Sequence, residues 1–285
     1  MVDIVLGTAQ LGLDYGATNT SGRPSDEDAS ALLELALSGG IRTVDTAAAY
    51  GDAESRLGNL EFSSKFRVIS KFQCTGEHKF DLDQQLRRLQ LQSIHGLLFH
   101  SALDLTSNEG LNALDKLRDK KRLGLVEKIG FSAYSLEEIQ RALRVFPDVD
   151  LIQIPGNALD FRILDSEVIH ALSGSGVEIH VRSVFLQGLL LNNASDPIDN
   201  QHLHLLDILR EIEETAISTG QSVMQFLMNQ IRYNPNVSAV VIGASSAIEL
   251  DELLKSWDSP YVESPRLQHD LDYEKLDPRN WPKVP

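Results

Sequence analysis

The chain alternates between short apolar runs and longer stretches in which apolar residues recur every three or four positions. The short runs fall at 3–6, 43–45, 68–71, 96–99, 128–131, 151–154, 178–181 and 239–242. They are nearly continuous in apolar character, the pattern of strands covered on both faces. The longer stretches fall at 26–38, 81–91, 107–123, 135–145, 164–172, 203–218, 221–232 and 248–257, and their period predicts helices. Leu82, Leu86 and Leu89 trace one such stripe. Acidic residues open the stretch at 26 and Gly39-Gly40 stops it, as the charge and backbone preferences of helix ends require. Ser135-Leu-Glu-Glu138 reads as a capping box.

Strands that alternate with helices predict a parallel sheet with helical crossovers. Eight such units in about 250 residues match a closed (β/α)8 barrel. A doubly wound open sheet is the alternative arrangement. No internal repeat or linker interrupts the pattern, so residues 1–257 are expected to form one barrel domain. Residues 258–285 carry prolines at 260, 265, 278, 282 and 285 and are expected as a tail over or beside the barrel mouth.

Composition narrows the partners. At 285 residues and 42% hydrophobic content the chain has material for a full core. A net charge of -15 argues against nucleic acid and against anionic membrane surfaces. No apolar run approaches the ~18 residues of a membrane span. The start of the chain lacks a signal-peptide pattern, and a single cysteine, Cys74, suits a reducing compartment. The expected location is the cytoplasm. His202 and His204, two apart on a predicted helix, make a poor metal pair, and no metal site is expected.

Four ionisable residues stand out against this background. Asp45 ends the second strand, Tyr50 follows it, Lys71 ends the third strand, and His100 follows the fourth. Charged groups at the end of a buried strand are costly unless paired or used. In a (β/α)8 barrel the reacting groups lie at the C-terminal strand ends, so the four are expected to converge. A tyrosine, lysine, aspartate and histidine together suit proton transfer to a carbonyl or from an alcohol. Asp45 and Lys71 by themselves also fit a buried ion pair at the rim; Tyr50 and His100 are what point beyond it.

These residues carry a resemblance. Leu6-Gly-Thr-Ala-Gln-Leu-Gly12, the segment from Asp45 through Tyr50 to Gly58, Lys71 and His100 resemble the aldo-keto reductases, and the likeness covers nearly the whole chain. The resemblance implies an NAD(P)H-dependent enzyme that reduces an aldehyde or ketone to an alcohol, or runs the reverse. Tyr50 would be the proton donor, with Lys71 lowering its pKa, Asp45 holding the lysine and His100 positioning the substrate oxygen. NADPH is the expected cofactor, with NADH as the alternative, held without a dinucleotide-binding domain. Gly7, Thr8 and Ala9 would flank it, and Ser132 and Gln153, with Asn157 nearby, would hold its carboxamide. Arg182 stands where many relatives stack an aromatic ring on the nicotinamide; a salt-bridge role at the rim is equally compatible with it. Ser183, Phe185, Leu186, Gln187 and Gly188 would border the diphosphate. Ile242, Gly243, Ala244, Ser245 and Ser246 would face the adenosine end.

The chain also departs from the family pattern. Ala133 replaces an asparagine expected beside Ser132, and Leu253 stands where another is expected. Relatives that prefer NADP place an arginine or lysine where this chain has Ser245 and Ser246. Aromatic residues make up only 6% of the chain and the loop at 10–24 is polar, which argues against a steroid or polyaromatic pocket. The chain resembles short bacterial-type members of the family, and that resemblance implies a sugar or sugar-derived carbonyl as substrate. Two other functions fit part of the pattern. One is a cofactor-binding regulatory subunit with little turnover; the other is a barrel isomerase or aldolase that uses Lys71 as a Schiff base.

Overall fold

Eight short strands close on themselves. They are β1 (Asp3–Gly7), β2 (Thr43–Asp45), β3 (Arg67–Phe72), β4 (Ile94–Phe99), β5 (Val126–Ser132), β6 (Leu151–Pro155), β7 (Glu178–Arg182) and β8 (Ala239–Gly243). All pair in parallel in sequence order, and β8 returns to β1, so no edge is left open. The computed structural model describes residues 2–19, 21–195, 200–267 and 271–281. Each expected strand is present within two residues of its predicted ends.

Most of the connecting helices begin at a side chain that caps them. The helices are α1 (Ala9–Gly12), α2 (Asp26–Ser38), α3 (Ala53–Asn59), α4 (Leu82–Leu89), α5 (Asn108–Arg122), α6 (Leu136–Leu143), α7 (Glu167–Gly174), α8 (Leu206–Ser218), α9 (Val223–Arg232), α10 (Ala247–Asp258) and α11 (Tyr273–Leu276). Ser25, Asp81, Ser107, Ser135, Ser166, Ser222 and Ser246 each accept a hydrogen bond from a first-turn backbone N–H. A cap of this kind is worth ~1 kcal/mol. The helix after β6 starts at Glu167, three residues later than its apolar period suggests, because Ser166 provides the cap.

α3 escaped the periodicity because its inward face is polar. Its Glu54 is buried and accepts from Ser70 Oγ (2.5 Å), Gln85 Nε2 (2.9 Å) and Arg88 Nε (2.7 Å). Arg56, also buried, donates to Leu11 O at 2.6 Å and to Asp26 Oδ1 at 2.6 Å. Hydrogen bonds to paired charges do here what an apolar stripe does elsewhere.

The pleat sorts each strand between two environments. In β3, Ile69 and Lys71 share one face, and in the neighbouring strands Lys71 registers with Leu98. Ile69, Leu98 and Leu151 form a small buried cluster separate from the larger core. The opposite faces, with Phe72, Phe99, Phe131 and Ile152, pack under the helices. Period two then carries Lys71, Gln153 and Arg182 onto the inward faces of their strands at the C-terminal end. Gly130 keeps this interior closed: a Cβ there would fall 1.8 Å from Leu151 O.

After α10 the chain runs back across the barrel. Gln221 Nε2 donates to Ser264 Oγ at 2.6 Å, and Leu276 of α11 is buried with Leu186, Leu190 and residues of α8 and α9. Pro278 and Arg279 then reach the mouth of the barrel. Among the described residues no helix is long and apolar enough to cross a membrane.

Candidate active site

Asp45 and Lys71 meet inside the barrel end and are almost fully buried, with side-chain exposures of 3% and 1%. Lys71 Nζ donates to Asp45 Oδ1 and, at 3.1 Å, to Thr46 O. The other carboxylate oxygen of Asp45 accepts from Gln153 Nε2 at 2.8 Å. β2, β3 and β6 are thereby tied together across the barrel by one carboxylate. With its NH2 held by Asp45, Gln153 has its carbonyl oxygen as its second hydrogen-bonding group.

Tyr50 lies in the turn between β2 and α3. Its N–H donates to Ala47 O and its carbonyl accepts from Ala53 N, both at 3.0 Å. Gly12 of α1 backs this turn so closely that a Cβ would lie 1.8 Å from Tyr50 O. The tyrosine hydroxyl sits 3.5 Å from Lys71 Nζ, and its ring meets the His100 imidazole edge to face with centres 5.7 Å apart. The four residues singled out in the sequence are therefore one cluster.

Burial, and then the Asp45 carboxylate, raise the Tyr50 pKa above its ordinary value. The net shift is therefore upward, with the Lys71 cation 3.5 Å from the hydroxyl. The lysine's charge is spent on Asp45, which lies nearer to it than the phenol does. Burial also pulls the Lys71 ammonium downward, against the Asp45 carboxylate. His100 is pulled down to about 3, first by burial and then by the charges of Lys71 and Arg182. Its imidazole is neutral at physiological pH, and its Nδ1 is buried with no hydrogen-bond partner.

A cavity of about 500 Å³ opens over this cluster and extends along β7 and β8. That size lies within the range of cofactor and small-molecule sites. Its reacting end is lined by Asp45, Tyr50, Lys71 and His100, and its far end by Gly243, Ser245 and Glu249. Between the ends runs the loop after β7, where Ser183, Leu186, Gln187 and Gly188 all have φ between 46° and 93°. Three of these are not glycine. Such backbone is costly and is held here by surrounding bonds, including that of Asn157 Nδ2 to Ser183 O at 3.5 Å. At the far end, Ser245 gives both its N–H and its Oγ to Glu249 Oε2, each at 2.7 Å, while Ser246 caps α10.

A sequence model of the aldo/keto reductase family matches residues 3–265. The chain belongs to that family. A D-threo-aldose 1-dehydrogenase from a Pseudomonas species is 28% identical over 65% of this chain and 68% of its own length. An L-glyceraldehyde 3-phosphate reductase from Escherichia coli is 26% identical over 79% of this chain and 78% of its own. The solved aldo-keto reductase from Bacillus halodurans superposes with a TM-score of 0.71 at 20% identity, covering 90% of this chain and 87% of that one. This aldo-keto reductase is accordingly a carbonyl oxidoreductase that works with a nicotinamide cofactor.

The cavity fits such an elongated group. Ser132, Gln153, Arg182, Ser183, Phe185, Gln187 and Gly188 line it, as do Gly7, Ala9, Ile242, Gly243 and Ser245. A Cβ on Gly243 would reach within 2.5 Å of the Gln10 amide, which would have to swing aside. Four residues expected along the cofactor do not line the cavity. Thr8 is buried with its hydroxyl on Asp45 O, and Leu186 and Ala244 pack into the hydrophobic clusters. Ser246 is occupied as a helix cap.

Tyr15, from the polar loop at 10–24, also lines the cavity, and three wall residues were missed: Tyr134, Glu249 and Arg279. Glu249 had a sequence signal, since Ser246-Ala-Ile-Glu249 has capping-box spacing. Arg279 had none, because nothing local says where a tail folds. Among the described residues no cluster suits a metal ion.

Proposed function

We propose that the protein reduces small polar aldehydes or ketones, with Tyr50 giving the proton. The supporting observation is the group Asp45–Lys71–Tyr50 with His100 beside it at the head of one cavity. A bound nicotinamide supplies the hydride. Ser132 and the Gln153 carbonyl oxygen would hold its carboxamide, and the loop 183–188 would border its diphosphate. The neutral imidazole of His100 directs an N–H to the substrate oxygen without adding charge. Tyr50, its pKa raised, is fully protonated at neutral pH and so is ready as a general acid for reduction. As it gives up the proton, the growing phenolate is met by Lys71⁺ at 3.5 Å, and Asp45 keeps that lysine charged and aimed. Oxidation of an alcohol would start from the phenolate, which burial disfavours, so it should need higher pH.

The printed names of relatives, an aldose dehydrogenase and a glyceraldehyde phosphate reductase, fit small hydroxylated carbonyls. The lining agrees: near Tyr50 it is built from His100, Arg182, Tyr134 and Tyr15 instead of an aliphatic wall. We assign no strong preference to NADPH. The acidic Glu249 stands at the α10 N-terminus, where a 2′-phosphate would seek the same Ser245 donors.

The test is a panel of small aldehydes with NADPH and NADH, run beside Tyr50→Phe. The variant should lose ~10²–10⁴ of the rate while its cofactor dissociation constant stays within twofold. A Phe variant that keeps most of its kcat would remove Tyr50 as the proton donor.

A further inference from the structure

Tyr134, in the cavity wall, carries an arginine on each face. The guanidinium of Arg182, at the end of β7, lies 3.9 Å from the centre of its ring, and that of Arg279, in the tail, lies 3.8 Å from it. Two planar groups so close to one ring centre must take its opposite faces. The ring thus spaces two cations that would otherwise repel. Glu138 fixes this stack: one of its oxygens accepts from Tyr134 N at 2.7 Å and the other from Arg279 at 3.1 Å.

The two arginines differ in charge balance. Arg279 is balanced by Glu138 and, at 2.6 Å, by Asp277. Arg182 has only neutral partners among the described residues: Ser132 Oγ and Ser183 Oγ at 3.4 Å, and Ala133 O at 3.3 Å. The other groups of the reacting end add no net charge. Lys71 is matched by Asp45, Tyr50 is protonated and His100 is neutral. A chain of net charge -15 thus keeps one half-buried, uncompensated cation at this end of its cavity. Its bonds say what it meets there. Arg182 Nε donates to Ser132, one of the two groups given to the carboxamide, and the other, Gln153, is two residues before Pro155, the register partner of Arg182. A carboxamide is bonded directly to the nicotinamide ring, so a ring anchored at Ser132 and Gln153 lies beside the Arg182 charge.

We propose that Arg182 makes this site select the oxidation state of its cofactor, favouring the neutral reduced nicotinamide over the cationic oxidised one. The proposal rests on the reading of this cavity as the nicotinamide site. In reduction, a C–H bond of the reduced ring breaks and both its electrons pass with the hydrogen to the carbonyl carbon. Tyr50 gives the proton to the oxygen, and one positive charge is left on the ring beside Arg182. Like charges a few ångströms apart in a half-buried site repel strongly enough to change affinity by about tenfold or more. The oxidised cofactor is therefore held weakly and leaves readily, and in a mixed pool the reduced form fills the site. The same charge opposes loss of hydride from the bound ring. Its benefit lies in cofactor entry and exit, at the expense of the hydride step. Tyr134, fixed by Glu138 and Arg279, keeps the guanidinium in place without cancelling its charge.

The experiment measures binding and needs no turnover. Dissociation constants for NADH and NAD⁺, and for NADPH and NADP⁺, are read by calorimetry at fixed ionic strength on wild type, Arg182→Gln and Arg182→Lys. In wild type the reduced member of each pair should bind about tenfold more tightly or better. Arg182→Gln should lose most of that ratio, and Arg182→Lys should keep most of it, because charge and not planarity discriminates. The rest of the cofactor is common to both forms, so the ratio cancels any contact of Arg182 with the diphosphate and any general loosening of the site. An unchanged ratio in Arg182→Gln overturns the proposal. A ratio lost equally in Arg182→Lys and Arg182→Gln also overturns it and makes Arg182 a stacking platform only. Thermal melts identify a variant that fails to fold, and wild type alone then decides: reduced and oxidised forms bound within about twofold of each other exclude selection by charge. If none of the four cofactors binds, the reading of the cavity itself fails, an outcome distinct from equal binding of the two forms.

Discussion

Replacing Asp45 by asparagine should both inactivate and destabilise the protein, and the size of the effect follows from its two partners. Asp45 accepts from Lys71 Nζ on one oxygen and from Gln153 Nε2 on the other. Asparagine has one acceptor, so its NH2 must face one of those donors, and the charge that balances Lys71 is gone. Both side chains of the pair are at most 3% exposed, so water does not make up the loss. Breaking a buried pair from one side costs ~3–5 kcal/mol. At roughly 2–4 °C per kcal/mol for a domain of this size, Tm should fall by about 6–20 °C. The loss should depend on pH in a defined direction. Burial already holds the folded-state pKa of Lys71 below its unfolded value, and removal of Asp45 lowers it further. The folded state then binds fewer protons than the unfolded state, so stability rises with pH up to the unfolded lysine value. The gap between wild type and Asp45→Asn should therefore narrow as pH is raised from 7 towards ~10. Differential scanning calorimetry across that range is the assay. A Tm shift under about 2 °C, or a gap that widens at alkaline pH, would refute the buried-pair argument.

Two further outcomes are expected. Wild type should bind NADPH no more than about tenfold more tightly than NADH, a difference of ~1.4 kcal/mol, and Glu249→Gln should tighten NADPH more than NADH. Titration of both cofactors at fixed ionic strength reads this, and a thousandfold preference for NADPH in wild type would dismiss the role given to Glu249. His100, pulled down to about 3, should contribute no inflection near pH 6.5 to the kcat profile. Because its folded pKa is depressed, wild type should lose stability relative to His100→Gln as pH falls from about 6.5 towards 3. Parallel melting curves for the two over that window would show that His100 is not buried as described.

Much of the architecture was legible in the chain because barrels are built from local periodicities. Short segments with apolar centres at 43–45, 68–71 and 96–99 announce buried strands, and placing Asp45, Lys71 and His100 at their ends follows from counting along each strand. Parallel strands joined by helices have all their C-terminal ends on one side, so convergence of those residues needed only the fold class. α3 was not legible, because Glu54 and Arg56 fold inward and a polar residue announces its burial only through distant partners such as Arg88 and Asp26. The direction of the Tyr50 pKa shift was not legible either, since it depends on how deeply the phenol is buried and how near it lies to the Asp45 carboxylate. The same holds for the two faces of Tyr134. Arg182 and Arg279 are almost a hundred residues apart, and only the path of the tail across α8 and α9 brings them onto one ring. Sequence alone determined which chemical groups the strand ends bring to the barrel mouth, because strand period and chain order decide that. Tertiary structure decided which of them are paired and which keep an unbalanced charge, because electrostatic energy depends on distances that no periodicity encodes.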